Sequence, residues 1–273
     1  MKPVNFAYAR PATLGAALDL VADERRGAKI LAGGQSLGPM LNLRLARPAT
    51  LVDVTGLEEL RGYKERADAL AIGACITHAD IEDDRLPDVT RGALRSVAAG
   101  IAYRAVRNRG TIGGSLAHAD PAADWVATFA ALGGRVELRS ASETRSLAVE
   151  DFVIGALESD LRPGEILVRA LAPRLGPKAR WGYYKASRKP GELAQAIGAV
   201  LIDPERGVRR AVMAATASRP IVVADAGELF EGPNGFDGER AEALALARGL
   251  ADPIARRVHV VALRRAWERA RSA

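Results

Sequence analysis

The chain has 273 residues, a formal net charge of +6, 48% hydrophobic and 26% charged residues, and one cysteine. This balance excludes a disordered tail and indicates a folded protein of one or two domains, with two expected. The single Cys75 excludes an intrachain disulfide and a zinc or iron–sulfur cage built by this chain alone.

The basic character, with an isoelectric point of about 9.8, suits an anionic cofactor or an acidic partner. The arginines are scattered, denser at 104–109 and near the C-terminus. No lysine-rich run or interleaved aromatic platform accompanies them, so no nucleic-acid partner is expected. The opening MKPVNFAYARPATL has Pro3, Arg10 and Pro11 where a signal peptide needs an apolar run. No stretch approaches the roughly 18 apolar residues of a membrane span. A cytoplasmic chain with no transmembrane segment is therefore expected.

In chain order, residues 12–23 place Leu14, Ala17, Leu18 and Val21 on one helix face, with Thr13 as N-cap. AKILAGG reads as a buried strand entering a tight turn, SLGPMLNLRL as a helix and TLVDV as a second buried strand. ALAIGACITHADI begins another strand, and residues 87–99 read as a helix. Further on, WVATFAALGG is a helix closed by Gly133, RVELRS a strand, LAVEDFVIGAL a short helical region and EILVRALAP a strand that Pro173 ends. The turn-rich PRLGPKAR sets a domain boundary near residue 176. Beyond it, GYYKAS, AQAIGAVLID and VRRAVMAATA predict an antiparallel sheet, followed by the helices ERAEALALARGL and RRVHVVALRRAWERARS.

Two glycine pairs carry the candidate chemistry, AGGQS at residues 32–36 and TIGGS at residues 111–115. Glycines allow close backbone approach, and exposed N–H groups beside a hydroxyl suit phosphate oxygens, so two such loops can hold a diphosphate. A tight turn after a strand is the plain alternative for either pair. Neither loop has the G-x-G-x-x-G or G-K-[ST] pattern of common nucleotide folds. His118, Asp120 and Asp124 lack a familiar ligand spacing, so no metal site is expected. Asp120 or Asp124 is expected to cap the helix that follows, with Pro121 at its first position; alternatively one of the carboxylates accepts a hydrogen bond from a ligand. His78 and His259 are read as structural, as are His118 and Asp120 by default. No hydrolase constellation surrounds Ser36 or Ser115, and no catalytic residue is assigned.

AGGQSLGPMLNLRLARPATLVDV together with IAYRAVRNRGTIGGSLAHADPAADW resembles the FAD-binding, medium subunit of the xanthine dehydrogenase and molybdenum hydroxylase family, most nearly that of carbon monoxide dehydrogenases. PGEILVRALAP and YYKASRKPGELAQAIGAVLI extend the resemblance over essentially the whole chain. It implies an α+β fold: a two-part FAD-binding domain of vanillyl-alcohol-oxidase or PCMH type at 1–176, with subdomains of about 1–56 and 57–176. A C-terminal domain like that of the carbon monoxide dehydrogenase flavoprotein, with an antiparallel sheet and terminal helices, would follow at 177–273. It also implies that Ala32, Gly33, Gly34, Gln35, Ser36 and Leu37, with Thr111, Gly113, Gly114 and Ser115, hold the FAD diphosphate. Asp124, Leu167 and Lys185 would be further flavin contacts, Lys185 as a cation able to stabilise reduced, anionic flavin. Two positions depart from the family: Leu193 stands where members often have an aromatic residue that covers the flavin ring, and Gln35 where several have another polar residue.

The function implied is that of an FAD-carrying electron-transfer subunit. Electrons would come from two [2Fe-2S] clusters on a small partner, fed by a large molybdopterin-binding subunit, in a dimer of heterotrimers, and would leave to an external acceptor. Two alternatives stand beside it. One is a free-standing FAD-dependent oxidoreductase of the same flavin fold; the other is a cofactor-free basic scaffold protein in which the glycine pairs are turns only.

Overall fold

A computed structural model describes residues 2–232 and 235–273. It is an α+β structure built on three main sheets. The first is parallel, with β3 (Thr50–Asp53) between β1 (Ala7–Ala9) and β2 (Ala28–Leu31). The crossover before β2 is the Leu14–Ala22 helix, which buries Leu14, Ala17 and Leu18; Thr13 caps it by accepting from Ala16 N at 3.2 Å. Both agree with the periodicity. β2 itself is only half-buried, because it is an edge strand of this small sheet, and the expected helix through Leu45 is shorter, spanning Leu37–Asn42.

The second sheet is antiparallel, in the order β4 (Tyr63–Glu65), β5 (Ala69–Gly73), β10 (Ile166–Pro173), β6 (Arg135–Arg139), β7 (Thr144–Ala148). Between β7 and β10 runs a ribbon of β8 (Val153–Gly155) and β9 (Glu158–Ser159). The apolar run ILVRALAP of β10 fits its place: a central strand covered on both faces needs no polar alternation.

Several boundaries shift for local reasons. The helix expected over 87–99 begins only at Ala93. Asp88 captures the N–H groups of Thr90 and Gly92, and Arg91 and Gly92 take φ of 55° and 79°, outside helical space. ALAIGACITHADI is a strand only to Gly73, because Thr77 and Asp80 form a capping box that starts the His78–Glu82 helix. The LAVEDFVIGAL segment is helical only at Val149–Phe152 before turning into β8.

The third sheet joins β11 (Arg180–Ala186), β12 (Ala196–Asp203), β13 (Val208–Ala214) and β14 (Ile221–Val223) in sequence order. The helices Gly238–Ala247 and Pro253–Ser272 complete the chain as expected. The last helix lies directly on Gly182 and Gly198: a Cβ at Gly182 would stand 2.6 Å from Ala270 N, and one at Gly198 2.5 Å from Leu263 N. On the opposite face, Ile197, Ala199, Val212 and Ala214 pack against Ala127, Ala130 and Ala131 of the Asp124–Leu132 helix. All nine residues of that helix are buried, since its other side faces the core of the second sheet. It is one of the elements through which the second and third sheets meet.

Candidate functional site

The first glycine loop leaves β2 at Leu31 and enters the Leu37–Asn42 helix. Gly34 has φ of +71°, a conformation glycine adopts without steric cost, and Gln35 Nε2 donates to Gly33 O at 3.1 Å. The backbone N–H groups of Gly33, Gly34, Gln35 and Ser36 meet no acceptor among the described residues. Four adjacent donors are thus left without an acceptor in the fold, the kind of backbone segment that can take up an anion. Ala32 begins this loop and Leu37 is the first residue of the helix after it.

The second pair is built differently. Residues 111–115 are not an open loop but the capped start of the Ile112–His118 helix. Thr111 Oγ1 accepts from Gly114 N at 3.1 Å, while Ile112 N donates to Ile76 O, Gly113 N to Ala74 O and Ser115 N to Thr111 O, each at 3.0 Å. The exposed N–H groups expected there are therefore committed to the protein. The glycines serve packing instead: a Cβ at Gly113 would stand 2.7 Å from Ala74 Cα, and one at Gly114 2.8 Å from Thr111 Oγ1. The Thr111 hydroxyl, which accepts in its cap, keeps its own proton to donate, and the Ser115 hydroxyl has no partner among the described residues.

The two segments touch. A Cβ on Gly33 would collide with the Arg109 carbonyl oxygen and stand 2.8 Å from both the Arg109 carbonyl carbon and Gly110 Cα. Ala32 Cβ lies 3.8 Å from the Cβ position of Gly114. The arginine density before the second segment is mostly neutralised within the chain: Arg104 pairs with Glu82 and Asp83, and Arg107 clamps Glu82 at 2.7 and 2.8 Å.

Asp124 is the first residue of its helix and 5% exposed. Neither it nor Asp120 caps that helix as expected. The N-cap is Ala123, and Asp120 Oδ1 instead accepts from Ala122 N at 2.8 Å, so Pro121 lies in the preceding turn. The Asp124 carboxylate is held from β11: Tyr183 donates its hydroxyl to Oδ1 at 2.6 Å and Lys185 Nζ donates to Oδ2 at 2.9 Å. Burial and the adjacent Asp124 charge push the Tyr183 phenol well up, so it remains a donor. Lys185 is thus not a lone cation but half of a neutral, largely buried pair. Sequence reasoning missed Tyr183; the signal was strand alternation in WGYYKAS, which puts Tyr183 and Lys185 on one face.

Leu167 lies in β10 with its side chain in the central core, beside a register shift between Leu167 and Arg169. The neighbouring Val168 O accepts from Ala74 N at 3.0 Å, which links this strand to the second glycine segment. Leu193 is 66% exposed, and its turn packs through Gly191, at φ of +85°, against the Tyr103 ring.

His78 supports the second segment from beneath. Its Nδ1 accepts from Trp125 Nε1 at 2.9 Å, and a Cβ on Gly110 would meet its Nε2 at 2.7 Å. Burial, reinforced by the Arg107 charge, lowers its pKa from the ordinary 6.5 to about 4. The unfolded chain binds this proton more tightly than the folded one. The resulting stability is full above pH 6.5 and is lost as pH falls toward 4, by about 3 kcal/mol in all. We expect the melting temperature to fall across that window, and His78→Gln to flatten it there; an unchanged slope in the variant would contradict this role.

Three further titratable side chains are wholly or partly buried. His259 Nδ1 lies 2.7 Å from Ala255 O, burial lowers the His118 pKa, and burial pushes the Cys75 thiol up to about 12. Among the described residues, no three His, Cys, Asp or Glu side chains are grouped to hold a metal ion, and no helix is long and apolar enough to cross a membrane.

A family model described as FAD binding domain in molybdopterin dehydrogenase matches residues 4–175. Nicotine 6-hydroxylase medium subunit of Paenarthrobacter nicotinovorans is 34% identical over 252 residues, 90% of this chain and 87% of the relative. Carbon monoxide dehydrogenase medium chain of Afipia carboxidovorans is 32% identical over 287 aligned positions, covering 100% and 99%. Among solved structures, reconstituted CO dehydrogenase from Oligotropha carboxidovorans superposes with a TM-score of 0.90 at 32% identity. Quinoline 2-oxidoreductase from Pseudomonas putida 86 gives 0.86, also at 32%; each match covers 100% of this chain and 99% of the other.

Proposed function

The chain belongs to the FAD-binding domain family of molybdopterin dehydrogenases and is an oxidoreductase subunit, and from that premise we propose that it is the electron-transfer subunit of a molybdenum-containing hydroxylase complex. It takes electrons from [2Fe-2S] clusters on a small partner, which are fed by a large molybdopterin-binding partner, and delivers them to an external acceptor. The assembly proposed is a dimer of heterotrimers. Bound FAD would supply the capacity to take up electrons one at a time from such clusters and to hold two of them for an acceptor.

The observation that carries this reading is the row of four unspent N–H groups at residues 33–36, set against the capped segment 111–115. Backbone donors fixed before binding hold a diphosphate without reorganising. In this reading Ala32, Gly33, Gly34, Gln35, Ser36 and Leu37 hold the diphosphate mainly by backbone, while Thr111 and Ser115 add hydroxyls. Gly113 and Gly114 let the two segments close on each other. Asp124, Leu167 and Lys185 line the flavin end, with Tyr183 holding Asp124. The division into a flavin domain to residue 176 and a C-terminal domain from 177 belongs to the same proposal. The neutral Asp124/Lys185 pair offers hydrogen bonds to a flavin without adding net charge.

Flavin and metal analysis of the complex isolated from its native source tests this. One FAD per copy of this chain is expected, together with molybdenum and iron carried by co-purifying subunits. A chain that stays colourless after reconstitution with FAD, or that alone oxidises an organic substrate, would overturn it.

A further inference from the structure

A second concentration of positive charge lies on the C-terminal sheet, away from the glycine segments. Cross-strand register sets Arg180 of β11 opposite Ile202 of β12, and Ile202 opposite Arg209 of β13. Both arginines therefore flank one isoleucine, on the face that carries Gly182 beneath the Pro253–Ser272 helix. The end of that helix adds Arg271 and Trp267, and Phe230 closes the opposite side of a cleft of about 630 Å³. That volume lies within the few hundred to roughly 1,000 Å³ usual for small-molecule sites.

The side chains are arranged for an anion. No carboxylate lines the cleft among the described residues, and Arg180 has no side-chain partner there. Arg209 pairs at 3.3 Å with Asp225, which is itself 75% exposed, so solvent screens that pair. Its guanidinium lies flat against Gly227, where a Cβ would stand 2.6 Å from Cζ. Arg271 Cζ lies 5.3 Å from the centre of the Trp267 ring, which in turn meets Phe236 at 6.0 Å. Arg180, with no carboxylate partner among the described residues, brings a guanidinium charge to this cleft that an anion would offset. Guanidinium forks match phosphate oxygens, and a guanidinium plane stacked on an aromatic ring offers its outer face to another planar group.

We propose that this cleft binds an aromatic anion of the nucleotide class, with its phosphate on Arg180 and Arg209 and its ring against Arg271 and Phe230. The site is separate from the glycine segments and does not depend on the flavin assignment. Calorimetric titration of the full chain with AMP and with inorganic pyrophosphate, each with and without saturating FAD, tests it.

One AMP is expected to bind the FAD-saturated chain, more tightly than pyrophosphate. Arg180→Gln and Arg209→Gln should each weaken it about tenfold or more while leaving the melting temperature unchanged. Arg180→Lys, which keeps the charge and loses the fork, should fall between. AMP binding that disappears when FAD is added, or that survives both glutamine variants, would overturn the site. Pyrophosphate binding equal to AMP would overturn the aromatic part of the assignment.

Discussion

Gly33→Ala is expected to abolish FAD retention by the isolated chain. The new Cβ would strike the Arg109 carbonyl oxygen, and nothing there is the movable end of a flexible side chain: the surrounding atoms are the backbone of Arg109 and Gly110. Either the first loop or the approach to the second segment must move. Overpacking against backbone costs about 1–3 kcal/mol or more, and the displaced N–H groups would no longer converge. Gly38→Ala is the matched control. It sits in the Leu37–Asn42 helix with nothing within 4 Å of its Cβ position, so helix propensity should make it neutral or slightly stabilising. Flavin content after gel filtration, read beside the melting temperature, separates the two. A Gly33→Ala chain with stoichiometric FAD would refute the clamp. Gly114→Val also disrupts the site, but by driving Thr111 Oγ1 from its cap rather than by reaching into the diphosphate.

Asp124→Ala should be the most destabilising change at the proposed flavin end. It strips the acceptor from both Tyr183 and Lys185 and leaves an ammonium whose side chain is 13% exposed without a counter-charge. Breaking a buried pair in this way costs about 3–5 kcal/mol, more than the loss of one hydrogen bond. Tyr183→Phe keeps the ring stacked beside Trp181 and removes only one bond to a charged group, so about 1.5–3 kcal/mol is expected. Adding Lys185→Met to Asp124→Ala should recover much of the loss, because the orphaned charge goes with it. Urea unfolding of the wild type, Asp124→Ala, Lys185→Met and the double variant measures the coupling; strictly additive losses would show that the pair is not energetically linked.

How much could be read from residues alone follows from how local each cause was. β10 was legible because eight consecutive residues of strand-forming, mostly apolar sequence admit little else. The Thr13 cap and the terminal helices were legible because caps and 3.6-residue periodicity act within a few positions. The helix start at Ala93 was missed because Asp88 takes the N–H groups that a helix would have used, and composition does not reveal that competition. TIGGS was misread as an open loop for a related reason. Its N–H groups look available until Ala74 and Ile76, brought in by β5, accept them.

The residues proposed for the flavin site came from resemblance, and the contacts they make within the fold did not. By itself the sequence determined most of the longer strands and helices, among them β10, β12 and the two terminal helices, and where glycine permits close backbone approach. Only the tertiary structure decided that Gly33 packs on Arg109, that Tyr183 and Lys185 share one carboxylate, and that Arg180, Arg209 and Arg271 face a single cleft. Propensity and capping act between near neighbours in the chain. These pairings depend on strand register and on one helix buried between two sheets, which exist only once distant segments have packed.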